Sequence, residues 1–413
     1  MATIQQLKDH LKANNDIAYA FSQGLETART YNIPQLDPIK TVDDLIKYYQ
    51  DFLTWIPSED AAGREVYNRI CLFYFVLDCA PLSNFQTPIL PSSTSPWSWL
   101  SNWIINYAVE LGSFLNTPES LTRASLETFY KAAAYNPPDH TMVEDYGPIG
   151  EQKWTTFNEF FARHVLPGRR PIHLPHDNDI IVSPADSAFD GHWNIDDNAD
   201  VTFQGNVVSS KGLTWSIAEL LQDSKYGPAF AGGQFAHAFL SPANYHRQHA
   251  PVSGVVKEVK MVHGQCYLQV IAQPDKSDKS GRSKLGMVRK WGYDPSHTVP
   301  TTPNNNFDAP DSPGYQFLQS RGIVIIDNPD LGLVAVLPMG MAQVSSVVLK
   351  CKVNDKLKKG DEISHFQFGG SDIVLVFQKK ANVTFTAKVT NPPTVHYVGQ
   401  QIAVAKPTKH SKH

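Results

Sequence analysis

The chain has 413 residues, more than a single ordinary hydrophobic core accommodates, so length alone predicts two or three domains. Apolar residues make up 42% and charged residues 18% of the chain, which is the composition of a soluble globular protein. The net charge of −4 and the pI near 6.4 give no electrostatic basis for binding nucleic acid, so we expect no partner of that class.

The cysteines and the hydropathy pattern further limit the class of protein to which the chain can belong. No CxxC pair exists, so neither a zinc site nor a disulfide framework is indicated, and we expect reduced, mostly buried thiols without a metal. The N-terminal segment is polar and lacks the apolar run of a secretion signal. The longest apolar run, Ile70–Leu77, is far shorter than the ~20 residues that span a bilayer. We therefore expect a cytoplasmic protein without stable membrane insertion.

The N-terminal part, residues 1–150, is predicted to be largely helical. Thr41 and Asp44 form a capping signal, and apolar side chains follow it at helical spacing. Thr117, followed by proline and glutamate, marks a second helix start. Between the two lies a loop rich in proline and serine, residues 81–96.

Strand patterns dominate after about residue 180. Asn328, with proline and aspartate behind it, indicates a turn between two of the predicted strands. Because no long helices intervene, the fold class is α+β: a helical N-terminal domain of residues 1–150 precedes a mainly antiparallel or mixed β domain of residues 151–413. The clearest strand signals are Ile323–Ile326, Leu333–Leu337, Ile373–Phe377 and Val383–Val389.

A long polar segment interrupts these strand patterns between Gln273 and Gly314. It contains six prolines, and connections of this length in compact domains are usually functional covers or disordered. We expect it to cover a substrate site.

Two histidines three residues apart, His246 and His249, form the first chemical candidate. They can reach one site if their segment is helical or tightly turned. Zinc-binding helices of the HExxH type space their histidines four apart with a glutamate between, and no acid fills the gap here. A lone pair of this kind is more often structural than functional.

A glycine pair before Ser371 forms the second candidate. Gly369 and Gly370 allow backbone conformations that a Cβ would forbid, although such pairs also mark ordinary turns. A serine hydrolase is an alternative, but its nucleophile elbow leads from a strand into a helix, whereas this serine enters a predicted strand. Asp186, two residues past a proline, is by itself most often a turn residue. Asp186, His249 and Ser371 together supply an acid, a base and a hydroxyl nucleophile.

Four segments, in this order along the chain, resemble the phosphatidylserine decarboxylase family. The resemblance covers roughly residues 150–413, and its YHRxHxP and GGS segments are highly specific. The N-terminal 150 residues are similar in length to those of soluble fungal members that decarboxylate free tryptophan. The four segments are Phe157–Arg163 with Arg170-Pro171, Ser183–Asp186, Tyr245–His249 with Pro251 and Gly254, and Gly369–Ser371.

The chain departs from the family pattern at three places. Asp372 follows the serine where the family usually has threonine or serine, and Ser187 stands where the family usually has glycine. The glycine-rich segment of the lipid enzymes is bulkier here, at residues 339–346. These departures argue against a phospholipid substrate.

The resemblance implies that the chain makes its own cofactor. The Ser371 hydroxyl would attack the carbonyl of Gly370, with His249 as base and Asp186 orienting it, and elimination and hydrolysis would leave a pyruvoyl group at residue 371. The products would be an associated β chain of residues 1–370 and α chain of residues 371–413. The pyruvoyl group is an electron sink for decarboxylation of an amino acid, and His246 is the expected general acid.

The expected substrate is a small soluble amino acid, aromatic as in the fungal relatives, with L-tryptophan as the example. Without an anchor or a basic amphipathic face, and with a net negative charge, residence at an anionic membrane is not favoured. Phosphatidylserine is the alternative substrate. A serine hydrolase using Asp186, His249 and Ser371 and an unprocessed, non-catalytic family member are the alternative classes.

Overall fold

The computed structural model describes residues 1–135, 154–165, 167–203, 213–275, 278–287, 314–342, 346–368, 370–390 and 392–407. The boundary predicted at residue 150 lies outside these ranges, so the division into domains 1–150 and 151–413 stays a prediction. The described helices are α1 Ala2–Ala13, α2 Asn15–Arg29, α3 Val42–Phe52, α4 Glu65–Asp78, α5 Trp99–Leu115, α6 Arg123–Lys131, α7 Phe157–Phe161 and α8 Ile217–Leu220.

Of the two predicted helix starts, the one at Thr41 is confirmed and the one at Thr117 is not. At the start of α3, Thr41 Oγ1 accepts a hydrogen bond from the backbone N–H of Asp44 at 3.1 Å, while the Asp44 carboxylate accepts from the Thr41 N–H at 2.9 Å, which confirms the capping box. The start expected at Thr117 is wrong as an α-helix. Only a single 3₁₀ turn forms at Pro118–Ser120, and α6 begins after Thr122, which makes a capping box of its own.

An antiparallel β region follows the helices, which confirms the α+β fold class. The main sheet has eight strands in the order β13-β7-β10-β11-β15-β5-β2-β17, and every pair of described strands is antiparallel. The strands are β1 Ile180–Val182, β2 Ser187–Asn194, β3 Asp200–Phe203, β4 Leu213–Ser216, β5 Gln234–Leu240, β6 Arg247–His249, β7 Gly254–Val262, β8 Val270–Pro274, β9 Ser283–Met287, β10 Arg321–Asn328, β11 Gly332–Met341, β12 Val347–Leu349, β13 Lys356–Leu357, β14 Glu362–Phe366, β15 Gly370–Phe377, β16 Val383–Phe385, β17 Val395–His396 and β18 Gln401–Ala405.

The turn between β10 and β11 forms as predicted. Asn328 Oδ1 accepts hydrogen bonds from the N–H groups of Asp330 and Leu331, at 2.9 and 3.0 Å. Gly332 then adopts a φ of 80°, a conformation that a residue with a Cβ rarely takes. This turn sets the register of the two strands, both of which are buried along most of their length.

The long segment from Gln273 to Gly314 is partly regular, contrary to expectation. Its first part completes a hairpin, in which β8 and β9 pair antiparallel from Val270 to Met287. The Met287 N–H donates to the Tyr67 hydroxyl at 2.8 Å, so this hairpin is tied to α4. Residues 288–313 lie outside the described residues, so the proposed cover stays a prediction.

The helical part is joined to the β region by a buried acid at the end of α4. Asp78 Oδ2 accepts a hydrogen bond from the backbone N–H of Val270 at 2.9 Å, and Gln86 Nε2 donates to Asp78 Oδ1 at 3.3 Å. The nearby Tyr74 hydroxyl donates to the carbonyl of Cys266 at 3.2 Å. Burial raises the pKa of Asp78 well above its usual range, so an uncharged carboxyl is favoured at this contact.

Replacing Asp78 tests the contact. Asp78→Val is expected to lower the free energy of unfolding by about 1–3 kcal/mol, because it leaves the buried N–H of Val270 without an acceptor. Asp78→Asn retains an acceptor oxygen of the same reach and is expected to cost much less. Denaturant unfolding of both variants checks this, and equal losses would show that the hydrogen bond to Val270 does not matter.

Candidate active site

Ser371 lies near the start of β15, in the interior of the main sheet. It pairs with Gly340 on β11 and with Leu240 on β5. The serine occupies the last rung of the β15–β5 ladder and the last but one of the β15–β11 ladder, where Met341 pairs with Gly370. The side chain is fully buried, and its Oγ has no hydrogen-bond partner among the described residues. Because an unpaired buried hydroxyl is costly, such a group calls for a functional explanation.

His246 lies beside the chain that leads into the serine. The N–H of Phe366, five residues before Ser371, donates to the carbonyl of His246 at 2.9 Å. The imidazole is fully buried and packs on the ring of Phe161, with the ring centroids 4.0 Å apart. The Phe366 ring meets it edge-on. Aromatic packing therefore holds this histidine next to the segment in which the cut is predicted.

The surroundings of His246 keep its imidazole neutral. Burial, together with the positive charge of Arg163, lowers its pKa to about 3. A neutral imidazole carries one N–H and one lone pair, so it can donate a proton at one nitrogen and accept one at the other. His246 is therefore uncharged near neutral pH and is poorly suited to binding an anion.

His249 has different partners, which select one tautomer of its ring. Its Nδ1 lies 2.7 Å from the carbonyl oxygen of Gly360, and a carbonyl only accepts, so Nδ1 carries the proton. The lone pair is then on Nε2, which accepts from the Tyr245 hydroxyl at 3.1 Å. Burial lowers the pKa of His249, which also favours the neutral ring. This arrangement leaves Nε2 as a base.

The Asp186 carboxylate is buried and fully engaged by other groups. Arg170 donates to both of its oxygens in a bidentate ion pair, and the N–H of Val398 donates to Oδ1 at 2.9 Å. Asp186 makes no described hydrogen bond to His249, whose orientation is set instead by the Gly360 carbonyl. Its negative charge is nevertheless close enough to raise the pKa of His249, against the larger lowering by burial. The structure therefore places Asp186 in the neighbourhood of His249, with no hydrogen bond between them among the described residues.

The two histidines have different immediate neighbours. Their segment is neither helical nor a tight turn at this point, because β6 begins at Arg247. Residues three apart along an extended chain face opposite sides. His246 therefore meets Phe161, whereas His249 meets Gly360.

Ser371 stands apart from both predicted partners in this conformation. Among the described residues, no hydrogen bond joins its Oγ to His249 or to Asp186. Sequence reasoning missed Arg170 as the partner of Asp186, although Arg170 belongs to one of the resembling segments. It also missed Gly360, which acts through a backbone carbonyl and so leaves no side-chain signal.

A polar cavity of about 370 Å³ is lined by residues that neighbour His246 and Ser371 along the chain, among them Arg247 and Gln367. Arg163 belongs to its wall, as does Gln367, four residues before Ser371. A volume of this size is adequate for a small-molecule ligand. Other residues of its wall are Trp154, Asn158 and His365.

Comparisons with known proteins identify the family. The family model for phosphatidylserine decarboxylase matches residues 157–404. The decarboxylase iboD of Amanita muscaria is 31% identical over 57% of this chain and 62% of its own length. The phosphatidylserine decarboxylase proenzyme 3 of Schizosaccharomyces pombe is 27% identical over 67% of this chain and 25% of its own. The L-tryptophan decarboxylase of Psilocybe cubensis is 27% identical over 61% and 53%.

The chain belongs to the phosphatidylserine decarboxylase family, because the family model covers more than half of it. This confirms the resemblance predicted from four short segments. The chain spans less than two thirds of the length of each of these three relatives. In the part of the chain that the structure describes, no helix is both long enough and apolar enough to cross a bilayer.

The low pKa of His246 makes stability depend on pH. Its pKa of about 3 in the folded chain lies below the ordinary 6.5, so its contribution is complete above pH 6.5 and is lost as the pH falls towards 3. His246→Phe keeps an aromatic ring in the pocket but removes this titration. Between pH 7 and pH 4 the variant is expected to lose about 3 kcal/mol less unfolding free energy than the parent. Denaturant titrations at the two pH values measure the difference, and identical losses would contradict it.

Proposed function

We propose that this chain is a self-processing, pyruvoyl-dependent decarboxylase that breaks itself between Gly370 and Ser371. The observation that carries the proposal is the Ser371 hydroxyl, which is buried and has no hydrogen-bond partner among the described residues, directly after a glycine and near the end of two strand ladders. Membership of the phosphatidylserine decarboxylase family supports the same chemistry. The serine fits the cofactor as its precursor, because a buried hydroxyl with no competing hydrogen bond is available as a nucleophile.

The cut would use groups that the chain itself supplies. Once the Tyr245 hydroxyl no longer donates to it, His249 Nε2 takes the proton of the Ser371 hydroxyl. Ser371 Oγ then attacks the carbonyl carbon of Gly370. The peptide C–N bond then breaks and an ester replaces it. Loss of the Ser371 α proton expels Gly370 as a carboxylate and leaves dehydroalanine. Hydrolysis releases the nitrogen of residue 371 as ammonia, so residues 371–413 begin with a pyruvoyl group.

The pyruvoyl group supplies the electron sink that decarboxylation of an α-amino acid requires. Around it, His246 holds a proton on a neutral ring that is fully buried and beside the segment leading to residue 371. The packing of Phe161 and Phe366 excludes water from that ring. Protonation of the carbon that has lost CO₂ would come from His246, and the amine would then be released.

The proposed substrate is a free aromatic L-amino acid, with L-tryptophan as the first candidate. The cavity of about 370 Å³ lined by Arg163 and Arg247 supports a small substrate, and Trp154 in its wall offers an aromatic face. The L-tryptophan decarboxylase among the relatives supports the aromatic class. Phosphatidylserine is the second candidate, because relatives that match this chain carry that lipid in their names.

The maturation step is tested first by substitution of the serine. Ser371→Ala removes the attacking oxygen, so this variant is expected to stay a single chain of 413 residues, while the parent separates into two fragments. Ser364→Ala, which removes another buried serine hydroxyl, is the matched control and is expected to be cut. Denaturing gels and intact masses provide the measurement. A cut at residue 371 in the alanine variant would refute the mechanism.

Alanine variants of the two histidines are expected to lose different steps, cleavage in one case and decarboxylation in the other. His249→Ala should slow the cut about 10²–10⁴-fold, because the serine loses its base. His246→Ala should still be cut, but its kcat for decarboxylation should fall by a factor in the same range. Time courses of cleavage and CO₂ release on processed protein separate the effects. If both variants are cut at the parental rate, the assignment of the base to His249 is wrong.

The substrate proposal is tested by direct competition. Processed enzyme is expected to release CO₂ from L-tryptophan and other free aromatic L-amino acids in preference to phosphatidylserine in detergent micelles. The Ser371→Ala chain serves as the blank. Turnover of the phospholipid alone would replace the substrate assignment and leave the self-processing intact.

A further inference from the structure

A second buried ionic cluster adjoins the proposed cut and has no part in the chemistry described above. His237 on β5 stands between two carboxylates: its Nδ1 lies 3.0 Å from Asp190 Oδ2, and its Nε2 lies 3.3 Å from Asp372 Oδ2. The Tyr315 hydroxyl donates a short hydrogen bond to the same Asp372 oxygen. The side chains of His237 and Asp372 are completely buried.

His237 is the member of this cluster that can carry a positive charge. Burial alone would lower the pKa of His237, but the carboxylates of Asp372 and Asp190 outweigh it and raise the pKa above its ordinary value. The ring is therefore favoured as an imidazolium between two anions. A buried carboxylate that lost such a partner would be strongly destabilised, so Asp372 depends on His237 for its place in the sheet.

The position of Asp372 along the chain gives the cluster its significance. It directly follows Ser371, whereas His237, Asp190 and Tyr315 all precede Gly370. After the cut, the ion pair would therefore join the first residues of the α chain to the β chain. New chain ends fray readily, and here the supporting ladders also end, since β5 stops opposite Ser371.

The side chain of Asp372 faces away from that of Ser371. Successive residues of a strand point to opposite faces, and Asp372 shares its face with Phe239 and His237 on the neighbouring strand. The carboxylate thus belongs to the opposite side of the sheet from the reacting serine. Its contribution is to the position of residue 371, not to contact with the substrate.

We propose that Asp372, held by His237 and Tyr315, is a positioning residue that clamps the pyruvoyl end of the α chain in register once the chain has been cut. The inference rests on the self-processing proposed above. It assigns a role to the departure from the family pattern at residue 372, where an acid replaces the usual threonine or serine.

The clamp predicts an effect that appears only when the chain is broken. Four proteins test it: the parent, Asp372→Asn, Ser371→Ala, and the double variant. In the processed background, Asp372→Asn is expected to speed amide hydrogen exchange at residues 372–375 on the order of ten-fold or more. In the uncut Ser371→Ala background, chain continuity holds the strand and the same substitution should change exchange much less. Asp327→Asn, which removes an exposed ion pair from the same sheet, is the control and should leave these amides unchanged.

Intact mass and exchange together distinguish the possible failures. A parent chain that remains uncut would overturn the proposed function and the clamp with it. A cut parent in which Asp372→Asn changes exchange equally in both backgrounds, or in neither, would overturn the clamp alone.

Tyr315→Phe provides a second variant that leaves the residues around the cut unchanged. It removes only the hydroxyl that donates to Asp372, so it remains informative if Asp372→Asn fails to fold or to be cut. We expect faster exchange at residues 372–375 in the processed protein and a lower kcat with a nearly constant KM, because the reacting group is misplaced while the cavity is intact. Parental exchange in the processed protein would contradict the clamp.

Discussion

The peptide bond proposed for cleavage lies near the end of a buried strand of the main sheet, where water is excluded. The remaining features of the site depend on that constraint. Ser371 is in β15, between β11 and β5, so the backbone around it is held by two ladders while its hydroxyl is shielded from water. A serine in solution is a weak nucleophile whose hydroxyl is occupied by water. At this position, within the part of the chain that the structure describes, no hydrogen bond has to break before the hydroxyl reacts, and Asp372–Phe377 are paired with strands on both sides.

The same sheet explains how two fragments would remain one protein. The 43 residues from Ser371 to His413 contribute β15, β16, β17 and β18. β15 is paired on both sides by strands of the longer fragment, β18 pairs with β1, and β17 pairs with β2. Such a fragment could leave only by opening the core of the sheet. Residue 371 is paired on both sides but occupies the last rung of the β15–β5 ladder, and the Asp372–His237 ion pair lies next to that end.

Different surroundings give the two histidines of one short segment different chemistry. His246 is enclosed by aromatic rings, which make charge unfavourable and leave it neutral. His249 is fixed by a carbonyl on one nitrogen and presents a lone pair on the other. An extended backbone accounts for the separation, because it turns residues three apart to opposite faces. These different environments support the proposal that processing and turnover use separate residues.

The sequence points to candidate site residues more readily than to the groups that hold them in place. The family segments identified Ser371, His249, His246 and Asp186, and β-branched runs located β10, β11 and β15. The strand predicted over Val383–Val389 is shorter in the structure and ends at Phe385. It ends there because the N–H groups of Thr386 and Ala387 both donate to the carbonyl of Ile402, which breaks the regular ladder. The Gly360 carbonyl and the Asp190–His237 pair arise from contacts between distant strands, and no local pattern records them.

The most direct test of the account is the mass of the peptide that begins at residue 371 in the mature protein. Self-processing through an ester predicts that this peptide lacks a free amine and is lighter, by one ammonia, than the same peptide beginning with serine. Reduction with borohydride should then add two hydrogens to it, because the terminal group is a ketone. A peptide beginning with an unmodified Ser371 would show ordinary proteolysis, and an unbroken chain of 413 residues would show no processing. Either result would contradict the central claim.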